Sequence, residues 1–240
     1  SNTSRWTRVG GANTTIVNTA TGYLTLTKED NAGNALGAGV VFGLFTDAEC
    51  TNKIDEFTTD ENGVAKSAVH DRGTYYLKEL SVPDSFHVVI SSDVTEISLG
   101  IGENTLTVEN DLMGQISVIK KDDAGTTLGA GFSFGIYTDS SCTNLVETIT
   151  TDTTGIATSS YLTPGETYYI KEIGLPTGAA EIYSTNNTVY PVTVVSGETG
   201  AFTGLGHGIC DQTSGELIKM DRGTVVEVQI SGVTKGVSGE

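Results

Sequence analysis

The stretch GYLTLTKED, residues Gly22–Asp30, alternates apolar and polar side chains as a half-buried β-strand does. Successive side chains of a strand point to opposite faces, so Leu24, Leu26 and Lys28 share one face. Two leucines on that face predict that it is buried. The stretch therefore predicts a strand whose core face includes a lysine, and a buried ammonium group needs a partner or must lose its proton.

The same pattern recurs later in the chain. GQISVIKKD begins at Gly114, an offset of 92 residues from Gly22. The match continues through GAGVVFGLFTDAECTN and GAGFSFGIYTDSSCTN, and after one inserted residue GTYYLKEL corresponds to GETYYIKEI. The chain therefore contains two copies of one β domain.

The repeat sets the expected domain boundaries. We place the first domain at residues 22–112 and the second at residues 113–240, with an insertion at about 197–222. Residues 1–21 open with SNT, which resembles a cloning remnant. The following TIVNTATG resembles the junction TVENDLMG between the copies, so it is either a plain linker or the end strand of a further domain upstream.

The composition limits the fold classes and the kinds of partner that we expect for this chain. Short alternating runs recur, whereas apolar residues at helical spacing do not, which predicts an all-β protein of two tandem β-sandwiches. The net charge of −17 disfavours nucleic acid and anionic membranes as partners. Apolar runs stay well short of the ~18 residues of a membrane span. The three histidines are not grouped, so we expect neither a metal site nor a cofactor.

Each copy places a lysine and a glutamate on core faces. Lys120 takes the place of Lys28, and Glu79 and Glu172 alternate with apolar residues in the two related strands. One interpretation is a buried salt bridge in each copy. The other is chemical, because burial lowers the pKa of a lysine and raises that of a glutamate, and a neutral amine beside a protonated acid is reactive.

The last strand of the first copy offers an electrophile. Leu106, Val108 and Asn110 share one face of that strand, which places a carboxamide at its inner end. If the first and last strands pair, Asn110 can meet Lys28. The amine would attack the amide carbon while Glu79 moves protons, ammonia would leave, and a Lys–Asn isopeptide bond would remain.

The motifs LTLTKEDNAGNALGAGVVFGLF, GTYYLKELSVPDSF and LTVENDL, in this order, resemble the collagen-adhesin B-type (Cna-B) domain. This resemblance implies a transthyretin-like or immunoglobulin-like sandwich that serves as a stalk repeat in adhesins and pilins of Gram-positive bacteria. It also implies a spontaneous bond between the first and last strands. By position, its residues are Lys28, Glu79 and Asn110.

The second copy departs from the pattern. Aligning its last strand, TVVEVQISG, with the first copy puts Ile230 where Asn110 stands, and Gln229 and Ser231 are not obvious acceptors. We therefore expect Lys120 and Glu172 to form a plain buried pair. A remoter possibility is an acceptor strand donated by another molecule.

Cysteine pairing is a separate question. A Cys142–Cys210 disulfide would tie the insertion to the second domain and leave Cys50 free. The alternative is that Cys50 and Cys142, which occupy the same repeat position, are simply small half-buried residues.

The sequence predicts a structural function. We expect a stiff spacer of a surface protein, extracellular and attached to the cell wall of a Gram-positive bacterium, whose partners are other domains of the same protein. The alternative is an adhesin tip, in which the insertion at about 197–222 binds a host glycoprotein, matrix or carbohydrate ligand. Apart from the single self-crosslinking event, we expect no enzymatic activity.

Overall fold

The computed structural model describes residues 18–122, 126–196, 225–231 and 233–234, the last two ranges by their main chain alone. Its regular structure is nearly all β, which confirms the predicted fold class. No helix in these ranges is long and apolar enough to cross a membrane.

The first sandwich contains eight strands. They are β1 Thr21–Asp30, β2 Val41–Phe45, β3 Lys53–Thr58, β4 Val64–Lys66, β5 His70–Asp71, β6 Gly73–Ser81, β7 Val94–Leu99 and β8 Gly102–Asn110. One sheet has the order β4-β1-β5, with β8 also paired to β1, and the other has the order β3-β2-β6-β7. A 3₁₀ turn, Asp84–Phe86, follows β6.

The second sandwich repeats this arrangement. Its strands are β9 Gln115–Lys121, β10 Ser133–Tyr137, β11 Leu145–Thr150, β12 Ile156–Thr158, β13 Thr167–Gly174, β14 Tyr183–Ser184, β15 Val189–Thr193, β16 Val225–Ser231 and β17 Val233–Thr234. The sheets have the orders β12-β9-β16 and β11-β10-β13-β15, and β14 pairs with β17. A 3₁₀ turn, Ala179–Glu181, precedes β14.

Each sandwich has its own hydrophobic core. Leu24 and Leu26 of β1 pack with Phe42 and Leu44 of β2 in the first, and the matching strands β9 and β10 form the second. The alternation read from β1 is observed, because every second residue from Gly22 to Asp30 is buried. Burial of these apolar faces is the main force that holds the two sheets together.

The first and last strands of the first sandwich run parallel. Their register extends from Gly22 opposite Gly102 to Asp30 opposite Asn110. The chain therefore enters β1 at one end of the sandwich and leaves β8 at the other. In the second sandwich, β9 and β16 are also parallel.

Only residues 111–114 connect the two sandwiches, and they are well bonded. Leu112 is buried and forms a β-bridge with Val88 of the first sandwich. Gly114 forms a bridge with Leu162 of the second. This short connection is therefore anchored on both sides.

Candidate functional site

The structure brings Lys28, Glu79 and Asn110 into the core of the first sandwich. Their exposed fractions are 0%, 4% and 3%. Lys28 lies on β1 opposite Val108, and Asn110 lies two residues further along β8 on the same face. Glu79 belongs to β6 of the facing sheet.

Glu79 and Asn110 are in direct contact. The Asn110 Nδ2 atom donates to Glu79 Oε1 at 3.1 Å and to Oε2 at 2.9 Å. The main-chain N–H of Ser91 also donates to Oε2, at 2.8 Å. The glutamate is thus fixed against the nitrogen that would leave as ammonia. Ser91 could not be found from the sequence, because no pattern marks a main-chain donor in a loop.

The other atom of the Asn110 carboxamide, Oδ1, is buried without a hydrogen-bond partner. A buried acceptor in this state costs about 1–3 kcal/mol. A carboxamide turned by 180° exchanges Oδ1 and Nδ2, and Oδ1 would then lie against the Glu79 carboxyl group. Both orientations bring Glu79 to the reactive amide, either at its leaving nitrogen or at its carbonyl oxygen.

Lys28 is buried against main-chain carbonyl groups. Its counterpart Lys120, in contrast, lies against a carboxylate. The Lys28 Nζ atom donates to the carbonyl oxygens of Glu29 at 2.9 Å and Val108 at 3.1 Å. Burial lowers the pKa of the Lys28 ammonium from 10.5 to about 8, and the negative charge of Glu79 opposes this shift. The neutral, nucleophilic form of this amine is therefore more populated near physiological pH than it is in an exposed lysine.

The main chain of Lys28 is held by a close turn. Its N–H donates to the carbonyl of Gly63 at 2.8 Å, and its own carbonyl accepts from Leu36 at 2.8 Å. Gly63 has a φ of +74°, and a Cβ placed there would lie 2.1 Å from Leu36 O and 2.9 Å from Lys28 O. Only glycine fits this position, because both the conformation and the space exclude a side chain.

The second sandwich has a different arrangement at the matching residues. Lys120 Nζ lies 2.8 Å from Glu172 Oε1, and both side chains are fully buried. The main-chain N–H of Asn186 donates to Glu172 Oε2, as Ser91 does to Glu79. Lys120 therefore forms the buried ion pair that the sequence suggested.

The register of β16 differs from the alignment made by sequence. Ile230 lies opposite Lys120, so it matches Val108 and not Asn110. The residue two positions further along is Gly232, which has no side chain and lies outside the described residues. The alternating valines of this strand fit two registers that differ by two residues, which explains the misalignment.

The cysteine prediction is only partly within the described structure. Cys50 and Cys142 are half-buried and are not bonded to another cysteine within the described residues, and both have positive φ angles, 53° and 55°. Cys210 and the insertion at about 197–222 lie outside the described residues. The Cys142–Cys210 disulfide stays a prediction.

Comparison with known families identifies the domain type. The model of the SpaA prealbumin-like fold domain matches residues 22–112 and again residues 114–204. A second model, the SpoIVB peptidase S55, matches residues 181–240. That match covers a quarter of the chain and falls largely outside the described residues, so it assigns no activity. No curated protein matches the sequence.

Similar solved structures include pilins. A streptococcal ancillary pilin is 21% identical, with 89% of this chain and 63% of that chain covered and a TM-score of 0.43. The shaft pilin SpaA from Lactobacillus rhamnosus GG is 12% identical, with 92% of this chain and 100% of that chain covered and a TM-score of 0.45. The Bacillus anthracis TIE protein is 20% identical over 90% of this chain, which spans 34% of that protein, with a TM-score of 0.39.

The family assignment is based on the sequence model and not on these low TM-scores. Its two matches cover most of the chain and confirm the resemblance to pilin-type repeat domains. Domains of this kind are structural and not enzymatic, as the sequence predicted. The chain belongs to the family of SpaA prealbumin-like fold domains, of which it contains two copies.

Proposed function

We propose that this chain is a stalk segment of a bacterial surface protein or pilus, stiffened by an isopeptide bond between Lys28 and Asn110. The observation that carries the proposal is the buried group of Lys28, Glu79 and Asn110, in which Glu79 contacts the amide nitrogen of Asn110. The family of the two domains supports the structural role.

The bond forms by transfer of an acyl group within the chain. The neutral Nζ of Lys28 attacks Cγ of Asn110, and the new Nζ–Cγ bond forms as the Cγ–Nδ2 bond breaks. One proton passes from the attacking amine through Glu79 to Nδ2, which leaves as ammonia. The reaction needs no other reactant, since proximity in a folded core replaces the encounter of two molecules.

The topology explains what the bond would do under tension. Pulling on the two ends of the sandwich shears parallel strands β1 and β8 along each other. A bond between residues 28 and 110 takes residues 29–109 out of the path of the force. The sandwich then carries load through covalent bonds and does not extend by unfolding.

The surface chemistry is compatible with an extracellular stalk. The net charge of −17 keeps neighbouring segments apart in solution. We propose attachment to the cell wall of a Gram-positive bacterium, with other domains of the same surface protein as the immediate partners. These assignments follow from the family and from the charge.

Peptide mapping tests the proposal. After reduction, denaturation and proteolysis, we expect a branched peptide that joins the segments containing Lys28 and Asn110. The Asn110→Ala chain serves as the matched control and should yield two linear peptides. Two linear peptides from the unchanged chain would refute the bond and leave a stalk without a cross-link.

A second candidate function is ligand binding by the second sandwich. Two residues join β7 to β8, whereas residues 194–224 join β15 to β16. A long connection on a rigid sandwich suits recognition of a host or matrix ligand. If this is correct, the chain should adhere to matrix proteins and lose that adhesion when residues 197–222 are deleted. A chain that is only a spacer should show no adhesion before or after the deletion.

A further inference from the structure

Asn31, which directly follows β1, joins the cross-linking site to the connection between the sandwiches. Its main-chain N–H donates to the carbonyl of Asn110 at 3.0 Å. Its side-chain Nδ2 donates to Asp111 Oδ1 at 3.0 Å, and its Oδ1 accepts from the N–H of Leu112 at 3.3 Å. Asn31 thus holds Asn110 and the two residues after it.

The same side chain reaches the second sandwich. Asn31 Nδ2 also donates to the hydroxyl oxygen of Ser196, which follows β15. Asn31 is partly buried, as expected for a residue enclosed between two packed units. One side chain therefore links the two residues that follow Asn110 to the second sandwich.

The glutamate end of the site is linked to the second sandwich by a different loop. The rings of His87 and Tyr161 stack across the junction with centroids 3.7 Å apart and planes 9° from parallel. The loop that carries His87 also carries Ser91, whose N–H donates to Glu79. In addition, Met113 of the connection donates its N–H to the His87 carbonyl at 2.8 Å.

We propose that Asn31 is a positioning residue for the isopeptide bond, and that docking of the second sandwich accelerates the reaction in the first. This inference depends on the proposed Lys28–Asn110 bond. Asn31 does not touch the reacting atoms; its side chain acts by holding Asp111 and Leu112, the two residues that follow Asn110. Asn110 is the last residue of β8, so its placement depends on how the residues after it are held. Acyl transfer loses rate steeply when the reacting atoms are misplaced.

Asn34 provides a matched control in the same turn. Its side chain donates to both carboxylate oxygens of Asp30, at 3.2 Å each. The hydrogen bonds that the structure gives this side chain stay within the turn. Replacing Asn34 therefore disturbs the turn but leaves the contacts with Asp111 and Leu112 in place.

The experiment follows bond formation in newly made protein. The full chain is synthesised in a cell-free system, quenched in acid at timed intervals, and analysed by intact mass for the loss of one ammonia. We expect Asn31→Ala to slow the reaction ~10-fold and Asn34→Ala to leave the rate within about twofold. Ser196→Ala, which removes only the contact of Asn31 with the second sandwich, should give a smaller slowing in the same direction.

A reciprocal exchange separates positioning from general destabilisation. Asn31→Asp alone sets two carboxylates against each other, so we expect it to be at least as slow as Asn31→Ala. When Asn31→Asp is combined with Asp111→Asn, the amide at position 111 donates to the carboxylate at position 31. The hydrogen bond is restored in the reverse direction, and the rate of bond formation should recover. A purely structural weakening of the turn predicts no such recovery.

The outcomes distinguish this inference from the proposed function. If the unchanged chain never loses ammonia, the isopeptide bond itself is refuted. If the unchanged chain forms the bond and Asn31→Ala forms it as fast as Asn34→Ala does, the positioning role is refuted. Slowing by Asn31→Ala with recovery in the double exchange supports it.

Discussion

Lys28 and Lys120 occupy the same place in two copies of one fold, and yet their surroundings differ. Both are fully buried on the first strand of a sandwich. In the second sandwich the glutamate contacts the lysine at 2.8 Å, whereas in the first it contacts Asn110. A single carboxamide from the last strand thus distinguishes the site that we propose forms a covalent bond from a buried ion pair.

The comparison also separates two ways of accommodating a buried charge. A buried ion pair keeps both charges, and the attraction between them offsets only part of the free energy lost when the two groups leave water. Conversion of the lysine to an amide removes its charge altogether and adds a covalent bond. The first sandwich is therefore expected to be the stiffer of the two, and the second to be the first to yield under load.

The largest expected effect is on the reaction itself. Glu79→Ala removes the group that moves the proton, and we expect the rate of bond formation to fall ~100-fold or more. The measurement is the fraction of branched chain over time on a denaturing gel. Glu172→Ala, at the matching position, should leave this rate unchanged; equal slowing by both variants would mean that Glu79 acts only through stability.

The second sandwich should respond through stability. Glu172→Ala leaves the buried Lys120 ammonium without its counter-charge, and we expect a loss of about 3–5 kcal/mol in the free energy of unfolding. Denaturant unfolding measures it. The double variant Lys120→Met with Glu172→Leu should recover most of the loss, and a mild effect of Glu172→Ala alone would argue against the ion pair.

Without the isopeptide bond, the first sandwich should become more stable as the pH rises above about 8. In Asn110→Ala, Lys28 keeps its amine, whose pKa is about 8 when folded and 10.5 when unfolded. Between these values the unfolded chain binds more protons, so stability rises with pH, by on the order of 3 kcal/mol in total. The control is the same variant with Lys28→Met, whose stability should rise less over this range; parallel curves would contradict the lowered pKa.

The smallest effect concerns the turn that both copies share. Gly63→Ala places a Cβ against the carbonyls of Leu36 and Lys28, and we expect a loss of about 2–3 kcal/mol. Gly33 has a similar φ of +81° but open space around it, so Gly33→Ala should cost only about 1 kcal/mol. Thermal unfolding of both variants checks the difference, and equal losses would show that crowding at Lys28 does not matter.

Much of the site was predictable because alternation along a strand fixes which side chains face the core. Lys28, Glu79 and Asn110 are all buried, as their spacing indicated. The register of β16 was not predictable, since its repeated valines fit two alignments equally well. Asn31 and Ser91 were also missed, because their contacts join segments that are distant in sequence, and no local pattern records such contacts.

The most direct test of the account is the intact mass of the purified, reduced and denatured chain. The account predicts a deficit of one ammonia relative to the sequence, absent from the Asn110→Ala chain relative to its own sequence. A deficit of two would mean that the second sandwich has an acceptor outside the described residues. No deficit would contradict the central claim and make Lys28, like Lys120, a buried lysine held by non-covalent contacts alone.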